Sequence, residues 1–175
     1  MRIASLAAAL ALAACASPAA ITTATLASAD AATSLIVGER VTQETSSARA
    51  EDGMDPVVTL TLRHADGRTL RFQQANHASN DLMAQRPGGP LAQIMGLFGE
   101  EAPVLYHRAS EGEHGAPFLC APEGPAAIGV HESEGAVRIV GLKQAIQFET
   151  RPDGQVEALP YSPDQVCARL SFTGG

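Results

Sequence analysis

Val57-Val58-Thr59-Leu60-Thr61-Leu62-Arg63-His64-Ala65-Asp66-Gly67-Arg68-Thr69-Leu70-Arg71-Phe72-Gln73 is two alternating runs joined by a turn. In the first run Val58, Leu60 and Leu62 share one face, and Thr59, Thr61 and Arg63 share the other. Leu70 and Phe72 continue the apolar face in the second run, with Thr69, Arg71 and Gln73 opposite. Period-two alternation is the signature of a half-buried strand. Asp66-Gly67 between two such runs predicts a hairpin, because a tight primed turn needs positive φ.

The same pattern recurs outward from this hairpin. Ala145 to Arg151 and Val156 to Leu159 flank Pro152-Asp153-Gly154 and predict a second hairpin, with Ile146 and Phe148 inward and Gln147 and Glu149 outward. Further strands are expected at Leu35 to Val41, Val104 to Arg108, Ala127 to His131, Val137 to Leu142 and Ala168 to Phe172. Short strands at this spacing predict a mainly β fold, a small antiparallel sandwich or a partly open barrel.

One or two short helices complete it. In Pro90 to Phe98, Leu91, Ile94, Met95 and Phe98 fall on one helical stripe, with Pro90 at the first turn and Gly99 as a stop. Core burial is the expected fate of that stripe, and a docking surface the alternative. Asn80 to Gln85 adds another turn before Pro87-Gly88-Gly89. Ser162-Pro163-Asp164-Gln165 is a capping-box pattern that predicts one turn just before Cys167 and the last strand.

The N-terminus is of a different kind. Met1-Arg2 precedes an apolar run from Ile3 to Ala14, too short to span a bilayer and followed by Ser, Pro and Thr, as in an export signal. Leu12-Ala13-Ala14-Cys15 resembles the lipobox of bacterial lipoproteins. That resemblance implies cleavage before Cys15, lipidation of Cys15 and anchoring to a membrane. Ala16, where an Asp would favour inner-membrane retention, implies the periplasmic face of the outer membrane. An ordinary export signal, cut after Ala13 or Ala29, remains the alternative and would give a soluble secreted or periplasmic protein.

Three regions follow: a signal peptide over 1–14, the lipidated Cys15 with a disordered tether to residue 34, and a single β-rich domain over 35–175. The tether is expected because residues 16–34 are almost all Ala, Ser, Thr and Pro. If Cys15 carries lipid, Cys120 and Cys167 are an even pair in an oxidising compartment, and a disulfide is expected. Closing that loop would be worth about 4 kcal/mol on the chain-entropy model.

Chemistry is hard to find in this chain. The formal charge of −7, with 12 Lys and Arg against 19 Asp and Glu, argues against a nucleic-acid partner. Five histidines, at 64, 77, 107, 114 and 131, show no metal-ligand spacing, and no Gly-x-Ser-x-Gly elbow or phosphate loop occurs. No catalytic residue, metal or cofactor is therefore assigned. His107-Arg108-Ala109-Ser110-Glu111-Gly112-Glu113-His114 is the densest polar cluster, and reads first as a solvated loop. With no Trp and two Tyr, a sugar-stacking cleft is not expected.

The reading is thus a membrane-tethered, non-enzymatic binding or envelope-accessory module, possible partners being envelope proteins. Two other classes stand beside it. One is a small β-barrel carrier or an inhibitor of an envelope enzyme. The other is a small hydrolase using the His107 to His114 loop.

Overall fold

The computed structural model describes residues 20–48, 56–75, 79–160 and 162–173. The signal peptide and Cys15 lie outside them. The strands are β1 (Ala20–Ser28), β2 (Arg40–Ala48), β3 (Val57–Arg63), β4 (Thr69–Gln74), β5 (Val104–Arg108), β6 (Ala127–Ser133), β7 (Ala136–Leu142), β8 (Phe148–Thr150), β9 (Val156–Ala158) and β10 (Val166–Thr173). The helices are α1 (Ala31–Val37), α2 (Ser79–Gln85), α3 (Pro90–Met95) and a 3-10 turn at Pro163–Gln165. None of the described helices is long and apolar enough to cross a membrane.

The fold is mainly β, and it closes completely. Going round, the barrel runs β1-β2-β3-β4-β5-β6-β7-β10, an antiparallel meander, with β8 and β9 forming a separate two-stranded sheet. The predicted hairpin is β3–β4, pairing Leu60 with Phe72 and Leu62 with Leu70. Those four side chains are buried, and with Leu26, Val41, Tyr106, Ile128, Ile139, Leu170 and Phe172 they belong to one apolar cluster. An eight-stranded barrel is just wide enough for side chains to fill it, and here they do. Val37 from α1 and Phe118 and Leu119 from the β5–β6 loop join that cluster at one end.

The barrel's polar end lies where β1 begins. There the Gln43 amide donates to Glu132 at 2.9 Å. Burial, and then the charge of Glu132, push the Tyr106 phenol above its ordinary value.

Two expectations at the N-terminal side are corrected. The stretch predicted as a tether through residue 34 is folded from Ala20 onward: β1 pairs with β2 from Ala20↔Ser47 to Ala27↔Arg40. Its composition is poor in bulky residues, but Thr and Ile are β-branched and favour strands, and a barrel strand need bury only one face. Ala24 and Leu26 supply that face. The strand predicted at Leu35 to Val41 is instead the end of α1 and the start of β2. Asp30 caps α1 by accepting the Thr33 N–H at 2.7 Å, and Gly38, at φ 75°, ends it. That backbone hydrogen bond lowers the Asp30 pKa.

β1, lying between β2 and β10, is the strand that closes the ring. The seam with β10 is short, Ala27↔Thr173 and Ser28↔Phe172. Beyond it the Ala29 N–H donates to the Ser171 carbonyl at 2.9 Å. The Ser171 N–H in turn donates to the hydroxyl of the fully buried Thr33 at 3.0 Å. Thus α1 laces the seam shut.

Candidate functional site

A second apolar cluster lies outside the barrel. Leu105 of β5, Ala127 of β6 and Val140 and Leu142 of β7 point outward and are buried by Ala84, Leu91 and Ile94 from α2 and α3. Gly129 of β6 permits this close approach. A Cβ there would lie 2.7 Å from Leu91 Cδ1 and 3.1 Å from Met95 Sδ.

Side-chain hydrogen bonds fix the helices to the wall. The Gln85 carbonyl oxygen accepts the Leu105 N–H at 3.0 Å, and its amide donates to the carbonyl of Ala75. The Arg169 guanidinium, reaching out from β10, donates to the Ile94 carbonyl near the C-terminus of α3 at 2.8 Å.

The helix predicted to run to Phe98 ends at Met95. Gly96 is left-handed at φ 67°, and the Leu97 N–H reaches back to the Ala92 carbonyl at 2.9 Å while the Gly96 N–H reaches Gln93 at 3.1 Å. This is a Schellman stop, and Leu97 is its buried apolar residue. Leu91 and Ile94 are core, as expected of the stripe, but Phe98 falls beyond the stop and is 83% exposed.

Between the helix pair and the β8–β9 hairpin runs an open cleft of about 540 Å³. One wall is Met83, Arg86, Pro90, Gln93 and Ile94. The other is Phe148 with the consecutive residues Val156 to Pro160, and Pro163 and Arg169 complete the lining. Both walls are elements legible in the sequence, but nothing in the sequence places them face to face. The capping-box turn that bounds the cleft is present as predicted, with Ser162 and Gln165 satisfying each other's backbone N–H groups.

A second concavity, of about 780 Å³, opens at the barrel end closed by α1, among Leu35, Ile36, Phe118, Lys143 and the two cysteines. Cys120 and Cys167 meet there at disulfide distance, their sulfurs 1.95 Å apart and their Cα atoms 5.2 Å apart. Gly141 makes room for them, since a Cβ on it would lie 2.9 Å from the Cys120 sulfur.

The polar candidates disperse. His107 turns to α2, where its Nε2 lies 3.0 Å from Asp81. Glu113 is taken by the Arg108 guanidinium, with two contacts at 2.9 and 2.8 Å, which hold Arg108 above its ordinary pKa. His114 forms a backbone bridge with Thr69 on β4.

His64 lies in the β3–β4 turn, 2.9 Å from Asp66, with its ring against Phe118. The Arg68 N–H, then His64 and the Arg68 side chain, lower the Asp66 pKa to about 2. His131 is buried on the outer face of β6, 3.8 Å from Glu101. His77 lies outside the described residues. Each described histidine has a different neighbour, and among the described residues no group of three His, Cys, Asp or Glu is placed to hold a metal.

The loop from His107 to His114 therefore does not converge on one reacting point. Among the described residues its histidine–carboxylate pair is His107 with Asp81, which ties α2 to the barrel wall. Comparison of the chain with protein-family models, curated proteins and solved structures finds no match.

Proposed function

We propose that this chain is a non-enzymatic binding or accessory module of a bacterial envelope, lipidated on Cys15 at the periplasmic face of the outer membrane, and that the cleft is its binding surface. One observation carries the binding reading. The barrel lumen is occupied by its own side chains, from Leu26 and Leu60 to Phe172, whereas the cleft outside it is open. A carrier would need the lumen, but a module that docks on a partner or inhibits one needs an outer surface. The cleft is made by two insertions into a simple meander, α2–α3 between β4 and β5 and β8–β9 between β7 and β10. The meander closes without them.

The register of β1 accommodates the lipid anchor. A cut before Cys15, like one after Ala13, leaves β1 whole, while a cut after Ala29 would remove the strand that closes the barrel, so the register disfavours only that last alternative. It also shortens the tether. Five Cα steps separate Cys15 from Ala20, so the start of β1 stays within about 18 Å of the acylated residue. The end of the barrel holding Ala20, Ala48 and Val57 then faces the membrane, and confinement there raises the effective concentration of envelope partners.

Cys15→Ala is expected to abolish acyl labelling and release the protein from the membrane fraction. Retention of both would overturn the anchor. A photo-crosslinking side chain at Gln93, in the cleft, is expected to give a discrete adduct in intact cells that the same probe at Thr61 does not. Equal adducts from both positions, or none from Gln93, would overturn the cleft as the binding surface.

A further inference from the structure

We infer that the cleft takes an extended peptide segment of a partner protein, added as a third strand to the free edge of β9; this rests on the cleft being the binding surface. The lining carries the first part of the argument. Val156 to Pro160 are consecutive, and successive side chains of a strand point to opposite faces. A cleft that touches all of them reaches the strand's edge, while Phe148 of β8, paired with Ala158, shows that it also extends over the hairpin's face toward α3.

The hydrogen-bond register carries the second part. Within the hairpin the Leu159 N–H donates to the Gln147 carbonyl at 2.9 Å and the Arg151 N–H to Gln155 at 2.8 Å. Bonded and non-bonded pairs alternate in an antiparallel ladder, so Glu149 with Glu157 is the next bonded pair. Val156 and Ala158 then direct their N–H and C=O groups away from β8. Among the described residues no backbone hydrogen bond takes them. Two donors and two acceptors along a cleft wall form a template that an incoming strand completes.

Shape and charge select the occupant. Across the cleft stand Met83, Pro90 and Ile94, apolar ground for the alternate side chains of an added strand. Five lining residues at about 3.3 Å each match a segment of about five residues. Glu157 is paired with Arg151, whereas exposed Arg86 has no carboxylate partner among the described residues. The preferred segment therefore carries an acidic residue beside its apolar ones. With α3 walling the other side, the cleft favours a single strand over a second β8–β9 hairpin backed by its own barrel.

The test uses the lipidated mature chain in detergent, selected against a displayed library of random octapeptides and followed by NMR amide exchange. Peptides bearing Asp or Glu among apolar residues are expected to enrich. Their binding should slow exchange at Val156 and Ala158 in proportion to the bound-to-free ratio, leaving Glu157 unchanged. N-methylating alternate peptide amides should abolish binding in one phase and spare it in the other. Arg86→Glu should weaken binding about tenfold, the scale of one charge-assisted hydrogen bond.

Failure to enrich any peptide overturns the inference. Peptides that perturb Gln93 and Leu159 but protect neither edge amide overturn strand addition and leave the cleft standing. Peptides that bind elsewhere overturn both readings. Protection of Val156 and Ala158 in concentrated protein without peptide would assign the edge to a second copy of the chain, and would also overturn the inference.

Discussion

The two halves of the barrel wall are built to different rules. In β2–β3–β4 the inward residues Val41, Leu60, Leu62, Leu70 and Phe72 are buried, while Glu44, Thr61, Arg63 and Arg71 face outward with none of the described helices over them. In β5–β6–β7 both faces are covered. Ile128, Val130 and Ile139 fill the lumen, while Leu105, Ala127, Val140 and Leu142 support α2 and α3. The thin wall needs only a meander to exist. The thick wall carries the insertions that form the cleft, so the part of the chain that lies outside the closed meander is also the part that leaves an open concavity.

The largest expected effects test whether the lumen is core on both sides. Phe72→Ala removes a fully buried ring from the thin wall and should destabilise the protein by about 3–5 kcal/mol in urea unfolding. Thr61→Ala, on the outer face of the same wall, should change stability by no more than about 0.5 kcal/mol. Comparable losses from the two would mean that the outer face is covered after all, and the contrast between the walls would fall.

Gly129→Ala probes the thick wall from beneath. The added methyl meets the Leu91 and Met95 side chains as well as Val140, so the α3 side chains over the wall must shift. A cost of about 1–3 kcal/mol is expected, the range of overpacked sites. The decisive readout is regional: amide shifts should change along α3 and in the cleft while β2 and β3 stay as they were. If the shifts spread evenly round the barrel, the helix layer is not the separable addition that the comparison makes it.

The walls also differ in how well the sequence revealed them. The thin wall's hairpin was legible because alternation and Asp66-Gly67 are local signals. The thick wall left a trace too, since Ile139-Val140-Gly141-Leu142 is nearly continuous, as expected of a strand buried on both faces. β1 was missed because Ala and Thr predominate in it, and its pairing with β2 and β10 is set by partners rather than by its own hydrophobicity. For α1 the local signals existed, Asp30 before the helix and Gly38 after it, but the apolar run from Leu35 outweighed them. The cleft had no sequence signal, because its walls lie more than fifty residues apart and meet only after the barrel closes.

The smallest effect concerns the thin wall's dependence on its turn. With no helix packed on it among the described residues, the β3–β4 turn relies on Asp66, whose carboxylate accepts the Arg68 N–H at 3.0 Å and lies against the Arg68 side chain and His64. Its folded pKa of about 2 lies below the ordinary 3.8. A depressed carboxylate contributes its stability above the unfolded value and loses it as pH falls through the folded one. Asp66→Asn should therefore be less stable than the parent by a constant small amount above about pH 4, the margin shrinking toward pH 2. Because the site is exposed, 0.5 M salt should reduce that margin by screening the charge. A margin that persists undiminished at pH 2 would mean that the carboxylate's shape, not its charge, holds the turn; one as large as the Phe72→Ala loss would make the turn, not the lumen, the principal support of the thin wall.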